Sequence, residues 1–444
     1  MAVAAALYSG QSYFNRIHDG QPAAHIYGMD ANRGGPAAER NSIMQQYVVQ
    51  KGDTLSRVAA RHGLAFEQLI TANPWAAQQS YLRQGQIVYI PASLRRRYVI
   101  QEGDTLESIA ATFGFSCEAL VELNSGLSVS HLPHGKSIVL PISDCNHLIT
   151  LSGEYGPAEL DRDVRRMKQR YPSVTWSRIG TSVLGKPIHA GRVGVGGKRL
   201  HINAALHANE WMTTPCLMRF VEDYASALST QDRAVYGHDP QAWYDQYTLW
   251  IVPMANPDGV ELVQEGVGPA HRYYEQLLQW NTNRQDFRRW KANIRGVDLG
   301  DQFPAHWDEE SQRRGKQTPS PQDYTGVSPL CEPEAQALHE HTLQISPERV
   351  ISLHSQGKEI YWNYREHEPP ESEAMARILG QAGGYRPVKL HGSDAGYKDW
   401  FIQHFRRPGF TVEIGNGINP LPLADFEDLC VEVGSILSAF MSLE

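Results

Sequence analysis

The sequence predicts an α/β protein preceded by two small βααβ units, and two observations carry that reading. Four apolar runs in the C-terminal two thirds (200–206, 249–253, 350–353 and 410–414) read as strands buried on both faces. Candidate site residues fall at the carboxyl ends of these runs, where ligands gather in open α/β sheets. Near the N-terminus, Tyr47-Val48-Val49-Gln50-Lys51-Gly52-Asp53-Thr54-Leu55 returns 51 residues later as Tyr98-Val99-Ile100-Gln101-Glu102-Gly103-Asp104-Thr105-Leu106.

Each copy of that repeat runs strand, Gly-Asp turn and helical pattern, with Leu55, Val58 and Ala59 recurring as Leu106, Ile109 and Ala110. A second helical pattern follows (Phe66, Leu69, Ile70; then Leu120, Val121, Leu123) and ends near Asn73-Pro74 or Asn124. A short strand within 85–91 or 135–141 closes each unit. The pattern resembles LysM domains. That resemblance implies binding of N-acetylglucosamine-containing glycans such as peptidoglycan, in a groove lined by Gly52, Asp53, Thr54 and Leu55 and by Gly103, Asp104, Thr105 and Leu106. The Asp and Thr also suit a helix N-cap. Residues 1–44 show no sustained periodicity and form a lead without an assigned role. The expected domains are 45–93, 96–143 and, after a connector over 142–151, 150–444.

Composition fits an ordinary enzyme. Basic residues number 41 against 49 acidic ones, a formal charge of −8, and no long basic run offers a nucleic-acid footprint. No stretch approaches the ~20 apolar residues that a membrane-spanning helix needs. The apolar start at Met1 is short and the first basic residue is Arg16, so no secretory signal is read and a cytoplasmic location is expected, with association to spore or cell wall. Cys117, Cys145, Cys216, Cys331 and Cys430 form no CxxC pair and read as free thiols.

The chemistry is concentrated in three segments. Leu206-His207-Ala208-Asn209-Glu210-Trp211 supplies an imidazole and a carboxylate three positions apart, close enough to reach one ion. His354 adds a second imidazole at the end of the run 350–353, and two His with one Glu leave a fourth tetrahedral position open, as in a catalytic zinc site. Glu413 sits inside the apolar run 410–414, and activating a water at a metal would give a carboxylate a reason to be there. Alone, the H-x-x-E spacing is weak, because 18 histidines and 49 acidic residues produce it by chance. Taken in order with Asn256-Pro257-Asp258-Gly259, Gly296-Val297-Asp298-Leu299, His354-Ser355 and the Glu413 strand, it resembles the zinc carboxypeptidase family over residues 150–440. The resemblance implies a mixed, mainly parallel sheet with helices on both faces. It also implies one zinc on His207, Glu210 and His354, with Glu413 moving a proton from water to the leaving amine.

Departures from the family pattern point to the substrate. Where digestive members carry an Asn-Arg pair that clamps a terminal carboxylate, this chain reads Gly300-Asp301, which reverses the charge and would favour an ammonium. Asn209 stands where those members often carry Arg. Lys398 falls at the side-chain selectivity position, His391 at that of the family's mobile tyrosine, and Lys291 at that of an oxyanion-stabilising Arg. An amine-seeking Asp301 and a carboxylate-seeking Lys398 suit meso-diaminopimelate, and glycan-binding repeats bring the enzyme to peptidoglycan or muropeptides. The expected reaction is hydrolysis of the γ-D-glutamyl–meso-diaminopimelate bond. A conventional carboxypeptidase acting on wall peptides and a non-catalytic wall-binding protein are the alternatives.

Overall fold

The computed structural model describes residues 147–230 and 234–443 without a break, together with a subset of residues between 44 and 139. Each repeat contributes a two-stranded antiparallel ladder. Strand β1 (Met44–Val48) pairs with β2 (Ile87–Pro91), and β3 (Arg97–Val99) pairs with β4 (Ser137–Val139). In the second repeat the helix Leu106–Phe113 buries Leu106, Ile109 and Ala110 against Ile100, Leu120 and Ile138, which is the helical spacing the sequence predicts. Thr105 caps that helix: its hydroxyl accepts from the Ser108 amide at 3.0 Å, and Ser108 Oγ accepts from the Thr105 amide at 2.9 Å. In the first repeat Val49, Leu55, Val58 and Val88 are buried, and Asn73 accepts the Tyr89 amide at 2.7 Å.

The remaining strands build one eight-stranded sheet. They are β5 (Val174–Thr181), β6 (Pro187–Val193), β7 (Lys198–Ala204), β8 (Tyr247–Val252), β9 (Arg349–Ser355), β10 (Glu359–Tyr361), β11 (Arg386–Val388) and β12 (Gly409–Ile414), in the order β11-β10-β12-β9-β7-β8-β6-β5. The centre is parallel, with β7 beside β8 and β9 and with β9 beside β12, while β5, β6 and β10 bring antiparallel pairings to the flanks. All seven residues of β9 are buried, as expected of a strand covered on both faces.

Alternation along β7 and β9 divides the core into two layers. Leu200, Ile202, Ile351 and Leu353 pack under the helices Thr213–Ser229, Ser372–Gly383 and Phe426–Ser442. Val350, with Ile188, Ala190 and Val252, packs under Pro333–Ile345 and Tyr397–Phe405. Helices therefore cover both faces, as the family resemblance implies. Of the expected connector, only 147–151 lies within the described residues, and it is strapped down: Leu148 and Ile149 donate their amides to Glu222, and Arg219 donates to the Ile149 carbonyl. Among the described residues, no helix is long and apolar enough to cross a membrane.

Candidate metal centre

His207 caps and Glu210 ends a single 3-10 turn, Ala208–Glu210, just beyond the end of β7. That turn is fixed from three sides. The Ala208 amide donates to the Lys291 carbonyl at 2.9 Å, Asn256 Nδ2 donates to the Leu206 carbonyl at 3.1 Å, and Thr213 Oγ1 donates to the Glu210 carbonyl at 2.7 Å. His354 comes from β9, and the parallel register sets Glu413 of β12 directly beside it.

The donor atoms converge. His207 Nδ1 lies 2.8 Å from Glu210 Oε1, and His354 Nδ1 lies 3.0 Å from both Glu210 Oε2 and His207 Nδ1. Donors about 2.0–2.2 Å from a tetrahedral zinc stand roughly 3.3–3.6 Å apart, so the ring nitrogens and carboxylate need to open by only a few tenths of an ångström to admit one. Both imidazoles offer the same atom, because their other nitrogens are occupied. His207 Nε2 meets Asp298 Oδ1 at 3.2 Å, and His354 Nε2 meets Ser352 Oγ at 3.1 Å. A carboxylate behind a ligating histidine is the usual way to orient the ring and raise its basicity. The residues present fit a zinc ion.

Electrostatics around the donors agree with that fit. Burial alone would lower the His207 pKa, but the Glu210 and Asp298 carboxylates reverse the effect and lift it to about 9. Burial works against a charged Glu210 too, and the two imidazoles overcome it, holding the carboxyl below the usual carboxylate range. A cation bound there would take over from the His207 proton the task of balancing these carboxylates, while burial and the neighbouring His207 lower the His354 pKa and favour its neutral, ligating form. Glu413 is half-buried, and burial followed by the neighbouring Glu210 pushes it up to about 8, a basic carboxylate suited to holding a proton. Lys291 Nζ stands 3.7 Å from Asp298 Oδ2, so Asp298 links His207 to an ammonium on the same rim.

Residues 160–419 match the profile of the zinc carboxypeptidase family, and residues 47–91 and 98–141 each match the LysM domain. The chain belongs to the zinc carboxypeptidase family. It is 44% identical over 296 residues to gamma-D-glutamyl-L-diamino acid endopeptidase 1 of Lysinibacillus sphaericus, a match spanning 67% of this chain and 74% of that protein. It is 38% identical over 289 residues to the uncharacterized protein YqgT of Bacillus subtilis, spanning 64% and 76% of the two chains. Its fold is similar to that of carboxypeptidase A from Helicoverpa armigera, with a TM-score of 0.51 and 15% identity over 84% of this chain and 94% of that one. Bovine thrombin-activatable fibrinolysis inhibitor gives a TM-score of 0.50 with 20% identity, over 65% of this chain and 97% of that one.

Against that zinc carboxypeptidase frame, the departures take physical form. Gly300 packs so closely on His207 that a Cβ there would fall 2.2 Å from Nε2. Asp301 does not present a free carboxylate, because Arg314 grips it through Nε at 2.9 Å and Nη2 at 3.0 Å. An ammonium, the ligand expected for Asp301 from the sequence, would have to displace Arg314 to reach it. Burial and the adjacent Asp298 still push Asp301 up to about 7. Asn209 is buried between the two ligands, and its carboxamide oxygen meets no hydrogen-bond donor among the described residues.

Lys398 and His391 line one cavity of about 280 Å³, together with Asn363, Tyr364 and Asp399. Lys398 is buried, donating to the Asn363 carbonyl at 2.7 Å and pairing with Asp399. His391 lies exposed on the loop that also carries Asp394. Between the lining residues Asp394 and Lys398, the chain is tied to the Gly300 segment: Phe303 donates to the Ala395 carbonyl, Ala395 donates to the Ala305 carbonyl, and Gly396 packs near the Gly300 carbonyl. Of the glycan-binding expectations, Gly52, Asp53 and Thr54 lie outside the described residues. The Leu55 and Leu106 side chains are buried, whereas Gly103 and Thr105 are exposed and Asp104 is half-buried.

Sequence reasoning missed three contributors. Asp298 was visible inside the Gly296-Val297-Asp298-Leu299 motif, yet no role follows from the letters alone. Ser352 stands two residues before His354, on the same face of its strand. Arg314 carried no signal at all, since no spacing rule ties it to Asp301.

Proposed function

We propose that this chain is a zinc peptidase that hydrolyses the γ-D-glutamyl–meso-diaminopimelate bond of peptidoglycan peptides, held on the glycan by its LysM repeats. The observation that carries the reading is the 44% identity, over two thirds of the chain, to a gamma-D-glutamyl-L-diamino acid endopeptidase. His207, Glu210 and His354 would hold the zinc, which when bound supplies a Lewis acid that polarises the scissile carbonyl and acidifies water. Glu413 takes the proton of the attacking water and delivers it to the leaving amine. Lys291, on the rim beside Asp298, faces the charge that develops on the carbonyl oxygen.

Lys398 and Asp399 together replace the Lys398–Asp301 pair expected from the sequence. One cavity holds an ammonium and a carboxylate already in contact, and a zwitterionic diaminopimelate end can exchange both partners there. The turn around Asp104 and Thr105, with its first-repeat counterpart, is the proposed glycan contact, made by backbone and small polar groups.

A conventional carboxypeptidase is the second reading, because Arg314 brings a guanidinium beside Asp301, and a terminal carboxylate could take the place of one of its partners Asp301, Glu310 and Asp323. One assay separates the two. The purified zinc enzyme is offered L-Ala-γ-D-Glu-meso-diaminopimelate and an ordinary α-linked peptide of the same length. Release of diaminopimelate from the first with little cleavage of the second supports the endopeptidase reading, and the reverse preference overturns it. Lys398→Ala should reduce kcat/KM on the diaminopimelate peptide by ~10²-fold, the scale of a lost buried charge contact, and should affect an uncharged analogue far less.

A further inference from the structure

The two imidazoles of the metal centre are backed by different devices. Behind His207 stands the Asp298 carboxylate, and behind His354 a short neutral line runs into the sheet. His354 Nε2 lies 3.1 Å from Ser352 Oγ, and that hydroxyl donates to Asn203 Oδ1 at 2.7 Å. Strand register makes the line possible. Asn203 of β7 is the direct parallel partner of Ser352 of β9, and His354 follows two residues later on the same face.

All three side chains are buried, at 0% for Asn203, 1% for Ser352 and 8% for His354. Polar groups inside a sheet are costly unless hydrogen-bonded, and the neighbouring positions Ile202, Ile351 and Leu353 show that these strands readily take apolar residues. A serine and an asparagine kept behind a ligand therefore call for a purpose.

The directions of the hydrogen bonds supply one. A hydroxyl has a single proton, and here it goes to Asn203 Oδ1. Ser352 is left with lone pairs for His354, an arrangement that favours the ring hydrogen on Nε2 and leaves Nδ1 the lone pair that a bound cation needs. Nδ1 is the atom that faces Glu210 Oε2 and His207 Nδ1 at 3.0 Å. We propose that Ser352 and Asn203 are positioning residues for the metal centre, acting in series to hold His354 as its Nε2–H tautomer with Nδ1 free as the ligand atom. The inference rests on His354 being a zinc ligand and is independent of the substrate reading.

Zinc affinity tests it directly, measured on the full chain by competition with a chromophoric chelator, alongside the thermal unfolding of each metal-free variant. Ser352→Ala should weaken zinc binding by ~10–100-fold, the range typical of groups that orient a ligand, while the metal-free protein still unfolds cooperatively, its Tm lowered only by the two lost hydrogen bonds. Ser352→Thr, which restores the hydroxyl, should bind zinc within a few-fold of wild type. Asn203→Ala should weaken binding to a similar extent, and the double variant should be no worse than the weaker single one, because the groups act in series. In the cobalt-loaded protein, Ser352→Ala should also shift the visible absorption bands, which a remote packing defect would leave in place. Wild-type zinc affinity in Ser352→Ala, or fully additive losses in the double variant, would overturn the relay. His354→Ala serves as the reference: stoichiometric zinc in that variant would instead remove the ligand assignment on which the inference rests.

Discussion

At the scale of single residues, the most constrained position at the metal centre is one without a side chain. Gly300 stands where the family pattern places a substrate-clamping residue, yet its alpha carbon is packed against the His207 ring. Gly300→Ala should push the imidazole off Asp298 or displace the loop, and either movement loosens a ligand. A fall in zinc affinity of at least ~10-fold is expected, the scale of a disturbed ligand-orienting contact, with unchanged affinity counting against the packing argument. Glu413→Gln isolates a different role. The amide keeps the shape but cannot accept a proton, so zinc content should stay at one per chain while turnover falls by ~10²-fold or more. Near-normal turnover would place the base elsewhere. The convergence of His207, Glu210 and His354, with Glu413 beside His354, was legible in the sequence because a metal site needs particular residue types at fixed backbone steps, and those appear as letters. Arg314 was not, because its ion pair with Asp301 spans 13 residues and depends on how the helix Trp307–Arg314 turns back onto the loop.

At the scale of elements, the four long apolar runs foretold the central strands β7, β8, β9 and β12, each within two residues at either end. The flanking strands β5, β6, β10 and β11 escaped, since they are short or half-exposed and their mixed composition lacks a continuous apolar signal. The run 200–206 was also read too far. Ala205 has φ of +49°, so the chain leaves the sheet there and delivers His207 from a turn rather than from a strand. Asn256 stabilises that turn from a distance. Its side chain donates to the Leu206 and Ala292 carbonyls and accepts the Gly259 amide at the start of the helix Pro257–Glu265. Asn256→Ala removes three buried hydrogen bonds, so a loss of ~3 kcal/mol in stability is expected, together with weaker zinc binding through the Leu206–His207 step. Calorimetry and a chelator titration check both halves. An unchanged Tm would show that Asn256 is not the brace its contacts describe.

At the scale of the whole molecule, the chain joins two LysM repeats to a peptidase, and the proposed division of labour can be tested by removing residues 1–143. The cut is chosen from contacts. Residues 147–149 must stay, because the Leu148 and Ile149 amides satisfy Glu222 at 2.6 and 2.9 Å and the Ile149 carbonyl receives Arg219 at 2.9 Å. Cutting later would remove two amide donors from the buried Glu222 and a carbonyl acceptor from the buried Arg219, leaving them only Tyr171 and Glu427 as hydrogen-bonding side-chain partners. The apolar layers around the sheet draw on residues from Ile149 onward, so the peptidase retains its core after the cut at 143. The truncated chain should therefore cleave a soluble γ-D-glutamyl–diaminopimelate tripeptide with kcat/KM close to that of the full chain. Binding to intact sacculi should behave differently. If each repeat binds glycan as proposed, two tethered sites would raise the local concentration of each other and of the peptidase on a polymeric wall, so losing both should reduce retention in a pull-down assay by ~10²-fold or more. Sacculus binding equal to that of the full chain would shift glycan recognition onto the peptidase itself. A matching loss of tripeptide cleavage would show that the repeats help to build the catalytic unit rather than only to place it on its substrate.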